Sequence, residues 1–503
     1  MEMTLSQLVA QCSVTSISGD TDMAICGLSY DSRQVKPGHA FFALRGVAGD
    51  GHDFIAQALA SGAKAVFVEQ PVDVPADVAT VVAPDCRKAL ALAARSFFAD
   101  PTDGMIVVGV TGTNGKTTVT YLLESILTAA GLAPAVMGTV NYRFGSEAHQ
   151  ASHTTPESVD LMARLRAFRD AGANALVMEV SSHALEQHRA DGVRFQVGVF
   201  TNLTPEHLDY HGDMEAYFAS KCHLFTELLP QNGKSVANLD DPYGRKLADM
   251  VDNALTCSQT PQADIASAGL TASLAGIHGK IATPLGEVEV ASPLLGDFNI
   301  ENILCAVGAA VALKITPQQI ADGLKQAGEV PGRLERIENE LGAVILVDYA
   351  HTGDALKRVV ETMQQLGPQR ILTIFGCGGD RDRDKRPVMA EVAARGSDIA
   401  IATSDNPRNE DPQQIFADMQ VGLNRVHEQA WSVEQAETAE GRGYLVIPDR
   451  REAIQLAVSL LRQDDLLLVA GKGHEDYQIL GSETIHFDDR EELRAALAAR
   501  TQR

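Results

Sequence analysis

Residues 106–118 read Ile-Val-Val-Gly-Val-Thr-Gly-Thr-Asn-Gly-Lys-Thr-Thr, an apolar, β-branched run that passes through a glycine-rich turn into a lysine and two hydroxyls. The run predicts a buried strand over 106–110, and the change of pattern predicts a helix from Lys116. Gly112 and Gly115 let the backbone turn sharply and approach a ligand, so the amides from Thr113 and Asn114 to Thr118 can face an anion at the helix N-terminus. Lys116 adds positive charge, and the Thr117 hydroxyl is placed to hold Mg2+ against the same phosphates. The usual phosphate loop has a further glycine five residues before Gly115, where this chain has Val110, so the motif is a shortened one. An ordinary glycine-rich connection with an incidental lysine is the bland alternative; ATP binding is the expectation.

Strand-then-helix alternation continues on both sides of this stretch. Before it, strands over 40–44, 65–68 and 79–82 with helices over 54–61 and 87–98 describe a small α/β unit ending near Ala99-Asp100-Pro101. After it, strands over 175–180 and 196–200 and helices around 214–229 and 301–313 predict a mainly parallel sheet, with ligands at the carboxyl ends of its strands. Val330-Pro331-Gly332 reads as a linker, and strands over 343–347, 370–375, 399–403 and 466–469 repeat the pattern as a second doubly wound unit. A chain of 503 residues has room for roughly three such domains, here 1–100, 101–331 and 332–503.

A net charge of −24 weighs against broad affinity for nucleic acid or anionic membrane, which depends on many cations facing phosphates. Any phosphate must be caught locally, which gives the focused loop at Gly112–Thr118 more weight. Seven scattered cysteines without a C-x-x-C pair suggest neither a disulfide framework nor a zinc site. The sequence has no run of about 18 apolar residues to span a bilayer as a helix, and the first residues lack the basic and apolar regions of a signal peptide, so a cytoplasmic protein is expected.

Further polar clusters follow the predicted strands. Val-Met-Glu-Val-Ser-Ser-His places Glu179 at a strand end, where a carboxylate suits a metal-bearing nucleotide site. The stretch Thr-Asn-Leu-Thr-Pro-Glu-His-Leu-Asp-Tyr-His-Gly over 201–212 is crowded with groups that bind metal or phosphate, His207 among them. Lys221 lies in an aromatic and aliphatic helix, so it must pair, lose its charge or reach out to solvent. In the last third, Arg381 and the loop Asp405-Asn406-Pro407-Arg408 follow two strands of one sheet; an arginine fork grips a carboxylate while Asp and Asn accept from an ammonium. That set suits an amino acid with an extra carboxylate, against the alternative of a surface charge cluster.

The loop Thr-Gly-Thr-Asn-Gly-Lys-Thr-Thr, the Glu179-Val-Ser-Ser-His segment, the His207-Leu-Asp-Tyr-His-Gly segment and Lys221, in this order, closely resemble the Mur ligases, which build the peptide stem of bacterial peptidoglycan. The resemblance covers essentially the whole chain. It implies an N-terminal domain for a UDP-sugar, a central ATPase and a C-terminal Rossmann-like domain that binds the amino acid. It also implies that Lys221 carries CO2 as a carbamate and joins Thr117, Glu179 and His207 in holding Mg2+. Asn299, Asn302, Arg333 and Asp348 then correspond to nucleotide contacts. Gly353 stands where relatives commonly have proline after the His-Thr of Asp348-Tyr-Ala-His-Thr.

The same resemblance assigns the UDP-muramyl dipeptide to Tyr30, Ser32, Val47, Ala48, Gly49, Thr154, Thr155, Ser181, Gln187 and Arg189. Asp405-Asn-Pro-Arg408 looks like the signature of members that add meso-diaminopimelate, with Gly471 and Glu475 in the same pocket; lysine-adding members lack the arginine. The expected activity is therefore ATP-dependent ligation of meso-diaminopimelate to the D-glutamate γ-carboxylate of UDP-N-acetylmuramoyl-L-alanyl-D-glutamate through an acyl phosphate. A lysine-adding Mur ligase, a folylpolyglutamate synthase and a non-catalytic nucleotide switch are the alternatives.

Overall fold

The computed structural model describes residues 2–46, 49–252, 254–438 and 440–501. The chain divides into two compact units: Met1–Ala268 with Ile281–Val288 and Glu301–Leu324, and Gly269–Lys280 with Glu289–Ile300 and Lys325–Arg503.

In the first unit a five-stranded sheet runs in the order Ser16–Ser18, Ala79–Val82, Ala65–Val68, His39–Phe42, Gly27–Ser29, with only the Ser16–Ser18 pair antiparallel. Strand alternation sends Phe41 and Val66 to one face with Ile55 and Ala58. Phe42 and Phe67 go to the other, stacked with centroids 4.0 Å apart in the cluster that includes the helix Cys86–Phe97. Asp85 caps that helix, its Oδ1 accepting from the amides of Arg87 and Lys88.

The larger sheet contains a parallel run in the order Pro134–Met137, Ala175–Glu179, Ile106–Thr111, Val197–Phe200, Lys234–Asn238, Leu255–Ser258, Ile265–Ser267. Val107, Val108 and Val110 are wholly buried, as the apolar run predicts for a strand covered on both faces. The chain moves from Ile106–Thr111 to one side and later to the other, so this strand sits where the strand order reverses, the place where such sheets open a ligand crevice. Glu179 pairs with Val110 and Phe200 with Thr111, so three strands end level and their loops leave together. A hairpin of Asn141–Phe144 and Glu147–Gln150 adds antiparallel strands at one edge. Its second strand, Glu-Ala-His-Gln, has no apolar face, which is why alternation does not reveal it.

The expected helix over 214–229 is Met214–His223 followed by a wider π-helical turn, Leu224–Leu228, so the pitch changes just past Lys221. The helix expected around 301 begins at Phe298.

The second unit carries a six-stranded sheet in the order Glu335–Arg336, Val344–Asp348, Leu466–Ala470, Ile371–Cys377, Ile399–Ser404, Gly443–Val446, parallel except for the first pair. Leu346, Phe375 and Leu468 face Leu356, Met389 and Met419 on one side. Ile345, Ile374 and Val469 face Ile454, Ala457 and Leu493 on the other. Helices thus cover both faces, the doubly wound α/β arrangement expected. Gly353 is the first residue of the helix Gly353–Gln365, behind the cap Thr352. That is the position where proline is favoured in helices generally; here a Cβ would lie 2.8 Å from Val388 Cγ1. Among the described residues no helix is long and apolar enough to cross a membrane.

Candidate functional site

At the level strand ends of the first unit, the glycine-rich loop is closed from two sides. Gly112 has φ +144° and Gly115 +87°, and a Cβ on them would lie 1.9 Å from Thr201 Oγ1 and 2.1 Å from Asn302 Oδ1. No side chain fits at either position, so the requirement for glycine is steric as well as conformational. The Thr113 amide donates to Asn202 O at 2.9 Å, and the Asn114 amide donates to Asn202 Oδ1 at 2.9 Å. Thr201 Oγ1 donates to Asn114 O at 2.6 Å. Gly115 caps the helix Lys116–Ala129 without a side-chain acceptor, leaving its N-terminal amides for a ligand, while Thr118 packs inside.

Two amines converge on one carbonyl. Lys116 Nζ donates to Gly112 O and Thr113 O, both at 2.8 Å, and Lys221 Nζ donates to the same Gly112 O at 2.9 Å. Lys221 does not reach solvent; it is 1 % exposed, with its Nζ 4.6 Å from the Tyr217 ring centre. Burial chiefly, with the nearby Lys116 charge, pushes its amine well below the ordinary lysine value, and Glu206 only partly opposes them. His207, in the left-handed region at φ 57°, lies edge-on to the same Tyr217 ring at 6.2 Å. Burial first, then Lys116 and Lys221, lower its pKa against the pull of Glu206, which favours the neutral imidazole.

Glu179, 1 % exposed, joins this loop to the next cluster. Its Oε1 accepts from Thr117 Oγ1 and from the Thr139 amide, each at 3.0 Å, and its Oε2 accepts from Thr139 Oγ1 at 2.9 Å. Thr139 Oγ1 meets Thr154 Oγ1 at 3.0 Å. Thr155 donates to Glu179 O at 2.9 Å and accepts from the Ser181 amide at 3.1 Å. Arg189 pairs with Glu157 at 2.9 Å and donates to Gln187 Oε1 at 2.5 Å, and Gln187 in turn donates to the Tyr210 hydroxyl at 3.0 Å. Thus Thr154, Thr155, Ser181, Gln187 and Arg189 form one network around Glu179.

Tyr30 donates to Asp160 Oδ2 at 2.6 Å; burial, then Asp160 and Glu157, raise its hydroxyl pKa, while Arg189 lowers it. Ser32 is turned to Gln57 Oε1 at 2.9 Å. Gly49 accepts from the Gly46 amide at 2.9 Å, whereas Val47 and Ala48 lie outside the described residues.

The remaining nucleotide candidates are split between the units. Asn302 packs on Gly115 in the first. In the second, Asn299 Nδ2 donates to Leu295 O at 2.7 Å, and the buried Asp348 carboxylate accepts from the amides of Leu334 and Ala350, each at 2.8 Å. Burial raises the Asp348 pKa, with Arg333 and the two amides opposing. The Arg333 guanidinium lies 4.9 Å from the Tyr349 ring centre.

The loop Asp405-Asn-Pro-Arg408 folds against the segment 471–481. Asn406 donates to Glu475 Oε2 at 3.0 Å and accepts from the Ile479 amide at 3.0 Å. Arg408, at φ 53°, donates through NH1 to Gly379 O at 2.8 Å. Pro407 O accepts from the Glu410 amide at 3.1 Å, closing the turn. Asp405 Oδ1 is buried without a hydrogen-bond donor among the described residues, with the buried Lys472 Nζ 3.8 Å away, and Gly471, at φ +115°, turns the chain beside Asp405 Oδ2. Burial and the Asp405 charge raise the Glu475 pKa. Arg381, in contrast, is exposed and donates to Asp380 O at 3.3 Å.

Thr139, Tyr217, Arg386 and Lys472 also build these clusters without having been singled out in the sequence, and Asn202 does so from within the polar stretch 201–212. Arg386, fully buried, holds the loop by gripping Glu410 at 2.6 and 2.8 Å; that pair holds the Glu410 carboxyl down to about 2.

Comparisons with known proteins agree with this geometry. The Mur ligase middle domain matches residues 110–310, the Mur ligase glutamate ligase domain 332–473, and the Mur ligase family catalytic domain 24–98. The chain is 51 % identical, over 98 % of both sequences, to a UDP-N-acetylmuramoyl-L-alanyl-D-glutamate–2,6-diaminopimelate ligase of Geobacter metallireducens, and 48 % identical over the same share to its Geobacter sulfurreducens counterpart. A solved structure of a ligase of the same name superposes with a TM-score of 0.71 at 35 % identity, covering both chains completely.

Proposed function

Because the chain belongs to the Mur ligase family, we propose that it joins meso-diaminopimelate to the D-glutamate γ-carboxylate of UDP-N-acetylmuramoyl-L-alanyl-D-glutamate, with cleavage of ATP to ADP and phosphate. The γ-carboxylate attacks the γ-phosphorus of ATP, ADP leaves, and the amine displaces phosphate from the acyl phosphate to form the amide. The observation that carries this reading is Glu179. One carboxylate is hydrogen-bonded to Thr117 of the phosphate loop and, through Thr139 and its own carbonyl, to Thr154 and Thr155. A nucleotide in the loop and an acid on the threonine pair would then meet at adjacent positions, as phosphoryl transfer requires.

The three-domain division 1–100, 101–331 and 332–503 belongs to this proposal, as does a cytoplasmic location, where UDP-linked precursors and ATP are available. Residues Gly112–Thr118 with Asn299, Asn302, Arg333 and Asp348 serve ATP. Tyr30, Ser32, the 47–49 loop, Thr154, Thr155, Ser181, Gln187 and Arg189 serve the UDP-muramyl dipeptide. Lys116 leaves the carbonyls of its own loop to stabilise charge on the transferred phosphoryl group.

Lys221 fits the role of a carbamate. Its burial and its shared carbonyl with Lys116 favour a neutral amine, which adds CO2 and releases a proton, exchanging an unfavourable buried cation for an anion beside Lys116. Thr117, Glu179, His207 and carbamylated Lys221 are an oxygen-rich set with one neutral imidazole that would hold Mg2+, and the ion when bound neutralises phosphate charge. Asp405, Asn406 and Glu475 receive the amino-acid ammonium, with Pro407 and Gly471 shaping the turn; Arg408, aided by Arg381, receives a carboxylate.

The test is to supply ATP, Mg2+ and the UDP-muramyl dipeptide, vary the amine among diaminopimelate, lysine and glutamate, and follow phosphate and ligated product. Product with diaminopimelate is expected. Product with lysine or glutamate instead, or nucleotide binding without phosphate release, would replace this reading.

A further inference from the structure

We infer that His188, Asp191 and His223 form a binding site for a zinc-like divalent cation, apart from the nucleotide loop. The three offer one ligand atom each within 4.8 Å of one another. His188 Nδ1 lies 2.9 Å from Asp191 Oδ2 and His223 Nε2 lies 3.1 Å from Asp191 Oδ1, so the carboxylate faces one nitrogen of each ring. Ligands of a tetrahedral zinc ion, bound at about 2.0–2.2 Å, stand about 3.3 Å apart. The three ligand atoms, now within 4.8 Å of one another, would therefore close by up to about 1.5 Å around an ion that takes water in the fourth position.

The surroundings resemble a metal shell as well. The other nitrogen of His188, Nε2, lies 3.4 Å from Asp85 Oδ2, the outer carboxylate that typically orients a metal-bound imidazole. Asp85 and Asp191 together supply two negative charges for a dication, offset in part by Lys88 near His188. The Asp191 side chain is 2 % exposed, whereas those of His188 and His223 are 23 % and 17 % exposed, so one side stays open for entry. Two imidazoles with one carboxylate suit Zn2+ or Co2+ and do not suit Mg2+, which prefers oxygen ligands and keeps its water.

The location gives such an ion a mechanical role. His223 is two residues past Lys221 on one helix, about 200° around its axis, so the ion would lie on the opposite face from the Lys221 amine. His188 stands between Gln187 and Arg189, and Asp85 caps the helix Cys86–Phe97. One ion would fasten two segments distant in sequence, the sugar-nucleotide loop and the Lys221 helix, with the N-terminal helix tied on through Asp85 to His188.

The experiment uses the full chain, stripped with a chelator, loaded with Zn2+ in excess Mg2+, desalted and assayed for metal by mass spectrometry. Wild type should retain one equivalent, Glu179→Gln the same amount, and His188→Gln and His223→Gln should lose it. Asp85→Asn keeps the Oδ1 cap but loses the outer carboxylate, and should weaken zinc affinity about 10- to 100-fold. X-ray absorption on zinc-loaded wild type provides a readout independent of variant folding: two imidazoles in the shell are expected. Absence of retained zinc, retention undiminished in both histidine variants, or a shell with fewer than two imidazoles would overturn the site.

Discussion

Arg408→Ala separates recognition of the incoming amino acid from everything else the enzyme does. Arg408 already occupies the left-handed region at φ 53°, and alanine inherits that backbone without added strain. Its amide bond to Ile479 O and the Gly481 amide bond to its own carbonyl are main-chain and survive the change. The fold therefore loses one side-chain bond, to Gly379 O at 2.8 Å, worth about 1 kcal/mol. A carboxylate of the substrate loses a charged partner, for which truncation typically costs about 2–5 kcal/mol. At 1.4 kcal/mol per factor of ten, kcat/KM for diaminopimelate should fall about 30- to 4000-fold. Steady-state kinetics with each substrate varied in turn measures this, with KM for ATP and for the UDP-dipeptide staying near wild type. Arg408→Lys, which keeps the charge but not the planar fork, should fall in between. Equal loss of ATP and diaminopimelate affinity, or a variant as good with diaminopimelate as wild type, would refute the assignment of Arg408 to the carboxylate.

Lys116→Ala should reduce phosphate release at least about a hundredfold while leaving the circular dichroism spectrum unchanged, since its Nζ donates to carbonyls of its own loop, Gly112 O and Thr113 O. Gly115→Ala combines a positive φ with a Cβ 2.1 Å from Asn302 Oδ1, and should cost about 2–5 kcal/mol of stability in urea titration; adding Asn302→Ala should restore the steric part only. His183 is held down to about 4 by burial and then by His207, His211 and Arg189, below an unfolded value near 6.5. The unfolded chain therefore takes up the proton first, and stability should fall as pH drops from about 6.5 to about 4. His183→Gln should flatten that decline in denaturant titrations at several pH values, with the His211 contribution remaining.

Buried parallel strands written as an unbroken β-branched or aliphatic run were legible, because both of their faces are covered; the parallel strands Pro134–Met137, Lys234–Asn238 and Gly443–Val446, shorter or flanked by polar residues, were not read from the sequence. The strands expected over 65–68 and 79–82 are the observed Ala65–Val68 and Ala79–Val82, and that expected over 399–403 is Ile399–Ser404. Short strands at the sheet margin were not legible. Asn141–Phe144 turns Tyr142 and Phe144 to the core but alternates over only four residues, its partner Glu147–Gln150 is exposed and polar, and Gly276–Thr283 alternates too weakly to stand out. Motif residues were legible for a related reason: glycine at a positive φ, or a carboxylate ending an apolar strand, breaks the local pattern. Thr139 and Asn202 break nothing, since their roles arise only when strands Ala175–Glu179 and Val197–Phe200 flank the loop strand.

Lys221 marks how far the sequence reaches by itself. An aromatic helix around a lysine admits a snorkelling side chain or a buried one, and only the tertiary contact to Gly112 O, shared with Lys116, decides for burial. Two ammonium groups on one carbonyl repel, and the more buried of them yields its proton more readily. The phosphate loop therefore does two things. It presents amides to the nucleotide, and through the carbonyl at Gly112 it helps to keep the neighbouring amine in the uncharged form that CO2 addition needs. The steric demand for glycine at 112 belongs to the same crowded turn, where a Cβ would lie 1.9 Å from Thr201 Oγ1 while both lysines donate to the carbonyl.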